Sequence, residues 1–304
     1  MMRFLRSPFR GLALSACLVI TLLLAGCSTP PPSHYDPVIK VAADGADASF
    51  KRGEVARADA LYVKALARAR LTDNRDEIVR NSYNLALCRM SLGQVDEARE
   101  LLVQARLMAG ERGAMAVRIL LAESEVARLK GEVTACEPLA RQALAAGADR
   151  EGQVQAWLLQ GESWYMAGQL QSASDCFRSA SKQITRDTPP ALRARLNELE
   201  AGLVQAGLLK GSIAMLQVSR ADWLKQAGQF NEMVKALQAA ASAWESESNW
   251  SQAFDCRIRA AQSLQAAGSR DRALTEAKKA DELAGQTGNV NNKLLATSLV
   301  NELK

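Results

Sequence analysis

One phrase recurs through the chain and constrains it more than anything else. A glycine ends one amphipathic stretch, a short turn follows, and a second amphipathic stretch with small residues on one face begins. The glycines are Gly53, Gly93, Gly131, Gly168, Gly228 and Gly268, at successive spacings of 40, 38, 37, 60 and 40 residues. Glycine is the residue that closes a helix in a left-handed cap and admits a tight turn. A period of this length, built on helix–turn–helix units, signals a stacked array in which no unit buries its apolar face alone.

Composition supports helices throughout. There are 53 alanines against 15 aromatic residues. Five of the 8 prolines lie at or before Pro37, Pro189 and Pro190 adjoin, and only Pro138 stands alone. Sheets would need more β-branched and aromatic residues. The formal net charge of +5 falls to +2 once the three arginines of residues 1–10 are set aside, too weak a field to suggest nucleic acid as a partner. The only histidine is His34, so neither a His-based triad nor a multi-His metal site is available in the body.

The repeated phrase resembles tetratricopeptide repeats. The clearest copy starts near Val154: Trp157, Gly161 and Trp164 match its first helix, and Ala173, Phe177 and Ala180 its second. Asn84-Leu85-Ala86, Ala98 and Ala105 match in the second copy, Ala58, Tyr62 and Ala65 in the first, and Ala261, Ala273 and Ala280 in the last. The third copy is degenerate, with Ser124 and Cys136 at small-residue positions, and the fifth has Ala221 and Ala240 but Met233 where alanine is usual. The resemblance implies an all-α, right-handed superhelical solenoid over residues 41–285, with residues 286–304 as a closing helix of polar outer face. The 60-residue interval holds an extra helix. Pro189-Pro190 should stop one helix, with new ones over 191–206 and 212–227, and the pattern leaves open whether the solenoid runs smoothly through them.

The N-terminus carries a different signal. Residues 1–10 hold three arginines and no acid, and residues 11–26 are an uncharged apolar run, too short for a comfortable membrane span but suited to a signal segment. The run ends in Leu24-Ala25-Gly26-Cys27, which resembles the bacterial lipoprotein lipobox. That resemblance implies cleavage after residue 26, acylation of Cys27 and, with Ser28 next, transfer to the outer membrane facing the periplasm. Residues 27–40, with Pro30, Pro31 and Pro32, form the expected tether.

Catalytic chemistry has little to stand on. There is no nucleophile elbow and no phosphate loop. Glu123/Glu125, Glu198/Glu200 and Glu245/Glu247 are two apart and diverge on a helix. An enzymatic site in 185–227 would have only Arg193, Arg195, Glu198 and Glu200. Cys88, Cys136, Cys176 and Cys256 lack metal-ligand spacing and suit buried thiols; disulfides are the alternative in an oxidising compartment. No cofactor or metal is implied. What remains is a surface. The resemblance places Arg80, Tyr83 and Asn84, then Arg118 and Arg128, then Glu162 and Tyr165 on the inner helices that line a partner-binding groove, beside Leu87, Leu121, Glu125, Gln155 and Leu158. The expectation is a lipid-anchored adaptor with protein partners; the rival is a binder of a small ligand or of peptidoglycan.

Overall fold

The computed structural model describes residues 36–111 and 113–304, and all the described secondary structure is helical. The expected signal segment over residues 1–26, Cys27 and the chain to Tyr35 lie outside the described residues. Fourteen helices follow in order among the described residues: α1 Pro37–Lys51, α2 Val55–Leu71, α3 Arg75–Ser91, α4 Val95–Ala109, α5 Ala114–Leu129, α6 Val133–Ala145, α7 Arg150–Met166, α8 Leu170–Ser181, α9 Pro190–Gln205, α10 Ile213–Gln226, α11 Phe230–Ser246, α12 Trp250–Ala266, α13 Arg270–Thr287 and α14 Val290–Leu303. Each packs on the next, giving an α-solenoid of helical hairpins.

The turn within each hairpin is what the spaced glycines specify. All six have φ between 71° and 78°. At Gly168 the left-handed residue lets Gln169 N–H reach back to the Trp164 carbonyl at 2.9 Å, capping the end of α7. α1 begins inside the stretch expected as tether. Asp36 accepts from the Val38 amide and Pro37 stands at the first helical position, where its missing N–H costs no bond.

The seams between paired helices are made of small side chains. Ala58, Ala65, Ala98, Ala105, Ala173, Ala180, Ala240, Ala273 and Ala280 are all fully buried. The degenerate third copy follows the same logic: buried Ser124 on α5 donates to the Cys136 carbonyl on α6 at 2.9 Å and lies 3.2 Å from its sulfur. Leucines, valines and aromatics then fill the space between successive pairs.

α9 answers the question of the long interval. Its face Leu192, Leu196, Leu199 and Leu203 joins the core of α7 and α8, while Ala194 belongs to the core of the C-terminal half. The inner helices α1, α3, α5, α7 and α9 touch in succession; past α9 the hairpins are α10–α11 and α12–α13, and the corresponding contact joins α12 and α14. The pairing shifts by one helix. Arg193 clamps the junction by stacking 4.6 Å over Trp223 of α10 while donating to the Thr185 and Thr188 carbonyls. The closing helix differs from expectation. Its outer face exposes Val290, Leu294 and Leu295 rather than being uniformly polar, because only Ala296, Leu299, Val300 and Leu303 are turned onto the preceding pair.

In the C-terminal half a charge lies in the core. Arg257 on α12 pairs with Glu276 of α13 at 2.9 Å and Glu245 of α11 at 2.9 Å, and Gln238 donates to Glu276. Arg257 and Glu276 are both buried. Truncating one member strands the other in low dielectric, so Arg257→Ala is expected to cost about 3–5 kcal/mol, read as a lowered urea midpoint of the C-terminal hairpins. An unchanged midpoint would show that water reaches the site.

Candidate functional site

The inner helices carry the expected site residues, but their chemistry divides them into two groups. Arg128, Glu162 and Tyr165 come together in the middle of the array, where they line a groove of about 360 Å³ with Glu125, Arg195 and Leu199. Arg80, Tyr83, Asn84 and Arg118 line a separate groove of about 370 Å³ nearer the N-terminus, with Lys51, Phe50, Leu87 and Met115.

The middle group is satisfied from within. Arg128 holds Glu125 at 2.5 Å and lies 3.3 Å from Glu162. Arg195 of α9 spans both acids, 2.5 Å from Glu162 and 3.1 Å from Glu125. Two cations and two anions thus neutralise one another across α5, α7 and α9. Burial pushes the Glu125 carboxyl up, but the guanidiniums of Arg195 and Arg128 overcome it and hold it below the ordinary range. This ionised carboxylate therefore stabilises the fold above its unfolded pKa near 4.5, and the contribution fades as pH drops through the lowered native value. By sequence alone Arg195 falls among the candidates for a catalytic cluster in 185–227, and the structure gives it this other place. In that region Arg193 instead stacks on Trp223, Glu198 pairs with Arg220 at 2.9 Å, and the Glu200 carboxyl is raised by burial alone.

Tyr165 is seated rather than free. Its ring lies over Gly202 of α9, where an added Cβ would come within 2.7 Å of the ring. Gly161 makes a similar close approach possible from α7, since a Cβ there would meet Leu199 at 2.8 Å. Trp157 and Trp164 pack against the same core.

The N-terminal group is different. Arg118 is exposed, and neither it nor Lys51 has an ion-pair partner among the described residues. Arg80 is held only by Glu77 one turn back, at 2.8 Å on the surface. Burial pushes the Tyr83 phenol up and the nearby Arg118 charge pulls it partly back, so the ring is a neutral, half-buried wall beside a free guanidinium. Asp47 is the acid in the groove, and it accepts from the Tyr62 hydroxyl. The sequence pattern does not single out Lys51 and Phe50, because the matched residues of the first copy, Ala58, Tyr62 and Ala65, all lie on α2 and none on α1.

No group of His, Cys, Asp and Glu side chains among the described residues is arranged to hold a metal. Cys88, Cys136, Cys176 and Cys256 are buried free thiols. No family model matches the chain, and no curated protein does. Among solved structures the chain is similar to the apo form of RapI, 13% identical over 88% of this chain and 85% of that one, with a TM-score of 0.47. It is similar to a tetratricopeptide repeat protein from Parabacteroides merdae, 14% identical over 88% and 99% of the two chains, TM-score 0.42. It is also similar to YrrB, described as a TPR protein with an unusual peptide-binding site, 15% identical over 77% and 98%, TM-score 0.35. Identities this low concern the fold alone, and the site rests on its own geometry.

Two outcomes are expected. Gly202→Ala should destabilise by about 1–3 kcal/mol through overpacking, and pairing it with Tyr165→Ala should recover part of that loss in a double-mutant cycle. Additive losses would show that the ring does not depend on the glycine. Burial pushes the thiols of Cys88, Cys176 and Cys256 up to about 11, so native protein at pH 8 should react with Ellman's reagent far more slowly than urea-unfolded protein.

Proposed function

We propose that this chain is a tetratricopeptide-type lipoprotein of the bacterial envelope. Cys27 is acylated and holds it to the outer membrane on the periplasmic side, and its inner helices bind a protein partner as a non-enzymatic adaptor or assembly factor. The observation that carries the binding half is the contrast within the inner face. Arg128, Glu162 and Arg195 are consumed by one another and by Glu125, whereas among the described residues Arg118 and Lys51 have no ion-pair partner beside the walls Tyr83, Phe50 and Leu87. Arginine and tyrosine at a concave, half-apolar surface are the groups that anchor partners. An extended segment bearing an acidic side chain next to an apolar one fits that groove by charge and shape. The anchoring half is supported by the basic start, apolar run and Leu24-Ala25-Gly26-Cys27 of the sequence. No described helix is long and apolar enough to cross a membrane.

Arg118→Glu reverses the free charge at an exposed position and should leave the fold intact. Mild crosslinking in cells followed by affinity capture is expected to recover a stoichiometric partner with the native chain. Recovery should fall at least tenfold with Arg118→Glu and stay unchanged with Lys235→Glu on the distant α11 surface. Equal recovery from all three would remove the N-terminal groove as the binding site. Binding to purified peptidoglycan instead, insensitive to Arg118, would favour the glycan-binding rival.

A further inference from the structure

The N-terminal groove does not end at Arg118. The same side chain lines the next groove along the inner face, of about 260 Å³ between α5 and α7, together with Leu121, Glu151 and Gln155. The two grooves therefore form one track across α1, α3, α5 and α7, with a single guanidinium at the divide.

The sign of the unpaired charge changes at that divide. On the α1–α3 side the cations Lys51 and Arg118 have no ion-pair partner among the described residues. Arg80 is held by Glu77, and Asp47 accepts from the Tyr62 hydroxyl. On the α7 side the ionisable groups are Arg118, Asp149 and Glu151. Asp149 is spent on the fold, because it accepts from the Gly152 N–H at 2.8 Å and caps α7. Glu151 is not. It is exposed in the first turn of α7, and its side chain has no ion-pair or hydrogen-bond partner among the described residues. Its surroundings explain why. Gly113, Ala114, Ala146 and Gly147 line the same groove and carry no polar side chain, and Arg118 is not within ion-pair distance. Arg150, its neighbour in sequence, does not line the groove.

Helix spacing sets the scale of an occupant. Packed helices stand about 8–10 Å apart. An extended segment rises about 3.3 Å per residue, so charges seated in adjacent grooves are about three residues apart. Tyr83, Met115 and Leu121 supply the apolar walls of the track.

We propose that this track takes an extended protein segment of mixed charge, with an acidic side chain against Arg118 and Lys51 and a basic side chain about three residues away against Glu151. Glu151 then sets specificity, because it disfavours a purely acidic segment that the cations alone would accept. This rests on the groove reading above and narrows its partner. The test pans the full chain, in mild detergent, against an immobilised library of nonapeptides randomised in Glu, Lys, Leu and Ser. Glu and Lys three residues apart are scored in both orders. The native chain is expected to enrich such pairs about fivefold over Glu–Ser pairs of the same spacing. Glu151→Gln alters an exposed side chain without partners, so the fold is kept; it should abolish the selection for Lys while the selection for Glu persists. Arg118→Glu should abolish the selection for Glu. Selection for Glu alone, equal in the native chain and Glu151→Gln, would overturn the mixed-charge segment and leave the groove standing. Glu–Lys enrichment that survives Glu151→Gln would overturn the role of Glu151. Loss of both selections in Glu151→Gln would overturn it too, since Glu151 would then act by holding Arg118 rather than by meeting the partner. Selection for no pattern at all would overturn the groove reading and this inference together.

Discussion

Close approach of helix backbones through alanine is the contact on which the rest of this array depends. Nine fully buried alanines mark the seams of the hairpins; of the departures from alanine, Ser124 and Cys136 are also small and bond across the seam, whereas Met233 is a large side chain buried in the C-terminal core. With seams this thin, each hairpin holds its large side chains on its outer faces, where only the next hairpin can cover them. Stability is therefore shared along the array rather than stored in one centre. A charge buried in that stack, such as Arg257 with Glu276, is tolerated because three helices each supply a partner.

The same stacking decides which surface groups are free to bind. In the middle of the inner face α9 brings Arg195 against Glu162 and Glu125, and the groove there is closed by its own charges. Toward the N-terminus no such helix intrudes among the described residues, and there Arg118 and Lys51 have no ion-pair partner. The odd helix thus does two things at once. It shifts the pairing of the hairpins by one, and its Arg195 joins Arg128 in neutralising the acids of the middle groove.

Much of this was legible without coordinates. Gly53, Gly93, Gly131, Gly168, Gly228 and Gly268 each stand at a left-handed turn, and Pro189-Pro190 opens a helix that ends within a residue of the expected position. Those features are local: a turn needs a glycine, and a helix starts where proline permits. The candidate site was only partly legible. Tyr83, Asn84, Arg80 and Arg118 do share one groove, because residues on successive inner helices align whenever the period holds. Arg128, Glu162 and Tyr165 looked equivalent to them in sequence and are not, since Glu125 and Glu162 take up Arg128, while what neutralises Glu162 and seats Tyr165 also comes from Arg195 and Gly202, more than thirty residues away.

The sequence by itself determined the all-helical class, the hairpin period and the small-residue seams, all of which are properties of short windows. Tertiary structure alone decided where the pairing slips, which guanidiniums find carboxylates, and which apolar side chains at helix ends are left uncovered. The physical reason is range. A turn or a helix cap is set by neighbours within a few bonds, whereas the availability of a charge or a leucine is set by whatever another hairpin places within a few ångströms of it.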